Sequence, residues 1–397
     1  MTNIDSPITK QRINSIDILR GFIMLIMAID HCRDFFFYSG QNATDMATTT
    51  PALFFTRWIT HFCAPTFIFL SGVSAYLAGT RRTKGELSGF LIKRGIWIVL
   101  VEVVVLTFAF RLDPQYHEII LQVLWAIGCS MVILGLLVRL LPLKVIGVLG
   151  ALIFFGHDIF DYIKGPLSGA GFDLYKLSLS ASGTLLPVDK THFVFDLYAV
   201  IPWTGVMMLG YVFGSLYKPG YDPLRRKKIL LYAGISALVV FVTLRFINIY
   251  GDPSPWAVQR NGVYTFMSFL NVSKYPPSLL YSCMTLGVSL IILALTEKAT
   301  NKLAAIFMVY GNVPFFYYVL HFYIIRFINV IVFFAAGFST SQIIDPKAIF
   351  FFKPNAFGYP LWVVYLVWLV VIGSLYYPCK WFSNYKKTHR QWWLSYL

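Results

Sequence analysis

The sequence predicts an all-α, polytopic membrane protein with about ten transmembrane helices, a single domain over residues 1–397, and both termini in the cytoplasm. Three observations carry that prediction. Hydrophobic residues make up 57% of the chain and charged residues 13%, against about 25% charged in an ordinary soluble domain. Apolar runs of about 20 residues, the length that crosses a hydrocarbon core, recur along the whole chain. Lys and Arg gather in alternate connections, the pattern of cytoplasmic loops.

The apolar runs lie near 16–38, 52–79, 88–110, 118–140, 143–161, 194–217, 228–249, 275–296, 307–334 and 359–381. Residues 1–15 form a short cytoplasmic N-terminus and 382–397 a cytoplasmic tail. The first run follows a basic patch, as signal peptides do. It contains Asp and His and lacks a small-residue cleavage site, so it should remain as an uncleaved span. Pro65, Pro202 and Pro314 fall inside three runs and should kink them. Connections after even-numbered runs hold Arg81, Arg82 and Lys84, then Arg139 and Lys144, then Lys218 and Arg225 to Lys228, then Lys298 and Lys302. Those after odd-numbered runs are longer and poorer: 39–56 has no Lys or Arg, and 162–193 has only Lys164, Lys176 and Lys190. The net charge of +15 is therefore accounted for by cytoplasmic loops facing the bilayer surface, and nucleic acid is not an expected partner. Five cysteines without CxxC pairs or metal-ligand spacing read as free packing residues, with no metal site.

The first run is the unusual one. "SIDILRGFIMLIMAIDHCRDFFF" (15–37) is apolar enough to span, yet carries Asp17, Arg20, Asp30, His31, Arg33 and Asp34. Each ionisable group costs about 2.5–3.5 kcal/mol on insertion scales and tends to mark function. At 100° per residue, Asp17, Arg20, Met24, Met27, His31 and Asp34 share an arc of about 100°, and Arg20 stands about 16 Å below His31. The second run adds Arg57 and His61, four apart on one face. The ninth adds Tyr317, Tyr318, His321 and Arg326. If the alternation is right, His31, His61 and His321 lie at comparable depth and line one polar chamber. Histidine suits general-base work near neutrality, and Asp30 or Asp34 could orient it. No GxSxG, HExxH, Walker A or dinucleotide-type glycine motif is present. Proton relays of secondary transporters use the same residue types. Against that alternative, the two halves show no corresponding Gly/Pro-broken spans.

Arg12, Asp17, Arg20-Gly21 and His31 together resemble the opening of the transmembrane acyltransferases, in which the first helix runs Arg, Asp-x-x-Arg and then His eleven residues on. "RWITHFCAPTFIFLSG" (57–72), "VLWAIGCSM" (123–131), "YAVIPWTGVMMLGYVFG" (198–214), "YPPSLLYSCMTLG" (275–287) and "GNVPFFYYVLHFY" (311–323) resemble the bacterial branch related to the catalytic domain of heparan-α-glucosaminide N-acetyltransferase. The resemblance implies a multi-pass enzyme of the cell membrane, the bacterial inner membrane. It would move an acyl group, most often acetyl, from cytosolic coenzyme A to an extracytoplasmic glycan or other small acceptor, on a sugar hydroxyl or amine. Carried over by position, His31 is the base; the residues themselves add Asp30 or Asp34 as the carboxylate beside it and His61 or His321 as groups that could share its work. Arg12, Asp17 and Arg20 form the cytoplasmic donor cluster, and Lys93 and Arg94 are further candidates for the coenzyme's phosphates. A homodimer is compatible with the resemblance. One departure stands out: the lysosomal branch has Asn at the position of His31 and its working His in the following segment, whereas 39–56 here has no His. A chain that kept the fold and lost the chemistry is the third reading.

Overall fold

The computed structural model describes residues 13–161, 170–181, 183–345, 348, 350–389 and 391–395. Arg12 and the loop around Lys164 lie outside them. In chain order the helices are α1 (Asn14–Phe36), α2 (Pro51–Thr60), α3 (Cys63–Gly79), α4 (Lys84–Leu100), α5 (Thr107–Arg111), α6 (Val123–Leu140), α7 (Leu143–Gly156), α8 (Ala170–Leu179), α9 (Val200–Phe213), α10 (Pro223–Ile247), α11 (Gly262–Leu270), α12 (Leu279–Leu295), α13 (Lys302–Gly311), α14 (Pro314–Ala335) and α15 (Leu361–Thr388). A π-helical turn (Val101–Leu106) joins α4 to α5.

Each of the ten apolar runs contains helix. Seven stretches among the described residues are long and apolar enough to cross a membrane: Pro51–Gly79, Val123–Leu140, Leu143–Phe160, Val200–Tyr217, Pro223–Ile247, Pro314–Ala335 and Leu361–Thr388. The other three differ for identifiable reasons. α1 carries six ionisable groups; α4 to α5 includes Lys93, Arg94 and Glu102; and α12 is only 17 residues long.

Two expectations are corrected. The chain is mostly but not wholly helical: β1 (Glu118–Leu121), β2 (Thr184–Pro187) and β3 (Phe193–Asp196) form a small sheet in the order β1-β3-β2. β1 runs parallel to β3, with Glu118 opposite Phe193, and β2 runs antiparallel to it. The windows 118–140 and 194–217 thus each open on a strand, because a buried strand and a buried helix are equally apolar. The second run breaks at His61-Phe62 just ahead of Pro65 and the ninth at Asn312-Val313 just ahead of Pro314, while Pro202 only opens α9. Pro65 and Pro202 sit in the first turns of α3 and α9, and Pro314 opens α14, positions where a missing N–H costs nothing. The interior proline is Pro378 of α15.

α1 is the hub, packed by α2, α3, α12, α13, α14 and α15. Around it, α3 packs on α9, α9 on α7 and α6, α6 on α4, and α10 on α12. Glycines let the backbones touch. A Cβ on Gly21 would lie 1.8 Å from the Phe307 carbonyl oxygen, and one on Gly311 would lie 1.9 Å from that of Asp17. All five cysteines are free. Gly21→Ala should therefore cost about 1–3 kcal/mol by overpacking. Gly85→Ala on α4, with nothing within 4 Å of its Cβ, should be neutral or gain up to about 1 kcal/mol. Thermal melting of the two variants in detergent checks the difference.

Candidate active site

The polar residues of α1 divide into two groups at its two ends. At the N-terminal end Arg20 donates to Asp17 (3.1 Å), to the Gly311 carbonyl (3.3 Å) and to Ser74 Oγ (3.1 Å). The pair thus ties α1 to α13 and α3. Met24, one turn on, is buried at 2% exposure. The stripe from Arg20 to Met24 is thus packed against α13 and α3.

At the other end Asp30 receives two guanidinium groups, Arg33 from its own helix (2.8 Å) and Arg57 from α2. Arg33 also reaches Asp34 (2.8 Å). Lone buried charges cost several kcal/mol, and a carboxylate hydrogen-bonded by Arg57 and ion-paired with Arg33 offsets that cost. α2 can deliver Arg57 because the chain turns at His61-Phe62 before α3 resumes.

His31 points to α14. Its Nδ1 lies 2.6 Å from Nε2 of His321, whose own Nδ1 lies 3.2 Å from the Tyr317 carbonyl oxygen. The imidazole of His31 stacks on Phe322 at 4.2 Å between centroids, and that of His321 stacks on Tyr317 at 5.3 Å. The hydrogen bonds dictate the tautomers of the neutral rings. A carbonyl only accepts, so Nδ1 of His321 carries its proton and Nε2 accepts. Nδ1 of His31 must then donate, which leaves Nε2 of His31 as the nitrogen with a lone pair. That nitrogen has no hydrogen-bond partner among the described residues.

His31 faces a cavity of about 270 Å³, walled by α1, α3, the start of α6, the sheet and the segment before α12. The cavity shares Arg33, Asp34, Arg57, Lys274, Tyr275 and Phe350 with a vestibule of about 710 Å³. The vestibule opens among residues 37–44, 271–275 and 348–355, at the end of the bundle with the long loops. Lys353, at its wall, donates to the Asp34 carbonyl (2.6 Å). Burial pushes its ammonium down to about 8, against the pull of the Asp34 carboxylate.

The structure therefore pairs His31 with His321 and sets Asp30 and Asp34 on the same cavity, but the carboxylates engage Arg33 and Arg57 in place of the expected bond to His31, and the remaining candidates lie apart. His61 lines the vestibule and not the His31 cavity; its ring packs edge-on against Tyr281 at 5.5 Å, and its carbonyl accepts from the Tyr281 hydroxyl. Lys93 is exposed on α4, and Arg94 sits near Phe90 (5.9 Å). Their helix packs chiefly on α6, with α3 between it and α1. Sequence reasoning passed over Lys274 and Tyr275, which line both spaces. The available signal was a lone Lys just ahead of an apolar run, in a connection otherwise poor in basic residues.

Residues 12–250 match the family described as heparan-alpha-glucosaminide N-acetyltransferase, catalytic. The chain belongs to this family. It is accordingly a multi-pass membrane protein of an acetyltransferase family that uses acetyl-CoA. No curated protein matches the chain. The family match takes in Asp30, His31 and Arg57 and stops short of Lys274 and His321.

The Asp30 cluster yields a stability prediction. Asp30→Asn leaves Arg57 buried without its carboxylate and Arg33 with Asp34 alone, and should cost about 3–5 kcal/mol. Asp30→Asn combined with Arg57→Met should recover part of that loss, read as a melting temperature above that of Asp30→Asn alone.

Proposed function

We propose that the chain is a membrane acetyltransferase with ten spans and both termini in the cytoplasm. It moves acetyl from cytosolic acetyl-CoA to a sugar hydroxyl or amine presented on the opposite face. The observation that carries this reading is the free Nε2 of His31, a base with a fixed tautomer facing a cavity that opens through a vestibule to the long-loop end.

In this reading the vestibule admits the acceptor and the His31 cavity holds the acetyl thioester. Nε2 of His31 takes the proton of the acceptor as its oxygen or nitrogen attacks the thioester carbon. The imidazolium then returns that proton to the departing sulfur, so histidine ends as it began and coenzyme A leaves as the thiol. His321 accepts from Nδ1 throughout and keeps the ring turned toward the cavity. Direct transfer needs one base and one cavity, which is what α1 and α14 supply; an acyl-histidine route would need Nε2 as nucleophile and a second base. The size of the cavity, about 270 Å³, suits an acetyl group and the reacting end of an acceptor and not a whole coenzyme. Family membership and this geometry both favour acyl transfer over a transporter.

Purified full-length protein given acetyl-CoA and glucosamine should release coenzyme A thiol and form an acetylated sugar. His31→Ala should lose at least about 100-fold in rate with its melting temperature retained; full activity in that variant would sink the reading. His321→Phe removes the acceptor for Nδ1 and should lose roughly tenfold or more. His321→Gln, whose amide oxygen can still accept, should retain more activity than His321→Phe.

A further inference from the structure

Attack on a thioester places negative charge on the carbonyl oxygen, and the acetyltransferase reading so far gives that charge no partner. Three cations line the His31 cavity: Arg33, Arg57 and Lys274. Two are committed. Arg33 and Arg57 share Asp30, and Arg33 also holds Asp34. Lys353 lines only the vestibule and is bound to the Asp34 carbonyl. Lys274 is the cavity cation with no ion-pair partner among the described residues, and it stands where cavity and vestibule join.

Its backbone is held more firmly than a surface lysine requires. Residues 273–278 form a tight turn in which Ser278 N–H donates to the Ser273 carbonyl (3.1 Å) and Ser273 Oγ donates to that of Pro276 (3.0 Å). Asp252 Oδ2 accepts from both ends of the turn, from Ser273 N–H (2.8 Å) and Ser278 Oγ (2.7 Å). Asp252 in turn faces Arg245 at 3.7 Å, both side chains 1% exposed, and Arg245 donates to the carbonyls of Ser268, Phe269 and Asn271. A buried ionic network is weak evidence for stability and better evidence for fixing a geometry. What this one fixes is the pair Lys274 and Tyr275, with the ammonium 5.0 Å from the centre of the Tyr275 ring.

We infer that Lys274 is a further catalytic residue, whose ammonium stabilises the oxyanion formed when His31 deprotonates the attacking acceptor. The inference rests on the acetyltransferase reading. In balance, the acceptor's lone pair forms the new bond to carbon, the carbonyl π pair moves to oxygen beside Lys274, and its return expels the thiolate. The thiolate takes the proton held by His31, and Lys274 stays protonated throughout. Preorganised charge aimed at a developing oxyanion is worth about 10²–10³ in kcat.

The test uses purified full-length protein with acetyl-CoA and glucosamine, measuring kcat and KM for acetyl-CoA. Lys274→Met should lower kcat about 100-fold or more with KM for acetyl-CoA within about threefold and little change in melting temperature. Lys274→Cys should be equally impaired and should regain activity after alkylation with 2-bromoethylamine, which rebuilds the ammonium; wild type treated identically controls for the native cysteines. A structural role alone would not give that recovery. A Lys274→Met variant with wild-type kcat, or an alkylated Lys274→Cys that stays inactive, overturns the inference while leaving a His31-dependent wild-type activity intact. A wild type that releases no thiol overturns the acetyltransferase reading and this inference with it.

Discussion

Asp30 carries two guanidinium groups on one carboxylate, and the rest of the site depends on that arrangement. It permits two arginines to lie in the interior of an apolar bundle, and it fastens α2 to α1 through Arg57. The next residue, His31, is rotated by about 100° on the same helix and so points past that cluster toward α14. One dipeptide thus serves as an electrostatic clamp on one side and, in the proposed acetyltransferase reading, as the base on the other. The clamp fixes where α1 sits, and with it the distance from His31 to His321.

The two-histidine contact then turns a packing geometry into chemistry. A lone imidazole in an apolar interior could hold its mobile proton on either nitrogen. Here the chain of acceptors ends at a backbone carbonyl, that of Tyr317, which has a second lone pair beyond its helical hydrogen bond. Because that end cannot donate, every proton along the chain is placed, and the lone pair emerges at Nε2 of His31 beside the cavity. Serine hydrolases reach the same end with a carboxylate behind the histidine. An imidazole behind it supplies orientation without adding a second buried anion next to Asp30.

Much of this was legible in the sequence, for physical reasons. A polar stripe in a membrane-length helix is costly, so its presence pointed to α1, and depth arithmetic put His31 and His321 at one level although 290 residues separate them. His61 lines the adjoining vestibule and not the His31 cavity. The turn at His61-Phe62 carries that side chain toward the vestibule and against Tyr281. The sheet was missed because β1 and β3 are as apolar as the helices that follow them. Lys274 was missed because its one local mark, a lone Lys ahead of an apolar run, is weak; what holds its turn comes from Asp252 and Arg245, some 20 to 30 residues away. Asp17 and Arg20 read as a donor cluster through the family resemblance alone, and the bonds of Arg20 to Gly311 and Ser74 also tie a helix junction.

That junction bears on how any donor reaches the His31 cavity. Several helix seams are locked by glycines whose backbones touch. Gly21 and Gly311 close α1 against α13; Gly72 and Gly210 close α3 against α9; Gly95 and Gly128 close α4 against α6. Parting such a seam exposes backbone polar groups and forfeits close packing along both helices, so these seams are the most expensive to open. The cavity walls beyond His31 are Ala64 and Phe67 of α3 on one side, with Gln122 and Val123 at the start of α6 on the other. Among the described residues no glycine contact of this kind lies between α3 and α6. The packing therefore ranks the seams by how readily they part. It puts the seam between α1 and α13, beside Asp17 and Arg20, among the most tightly closed.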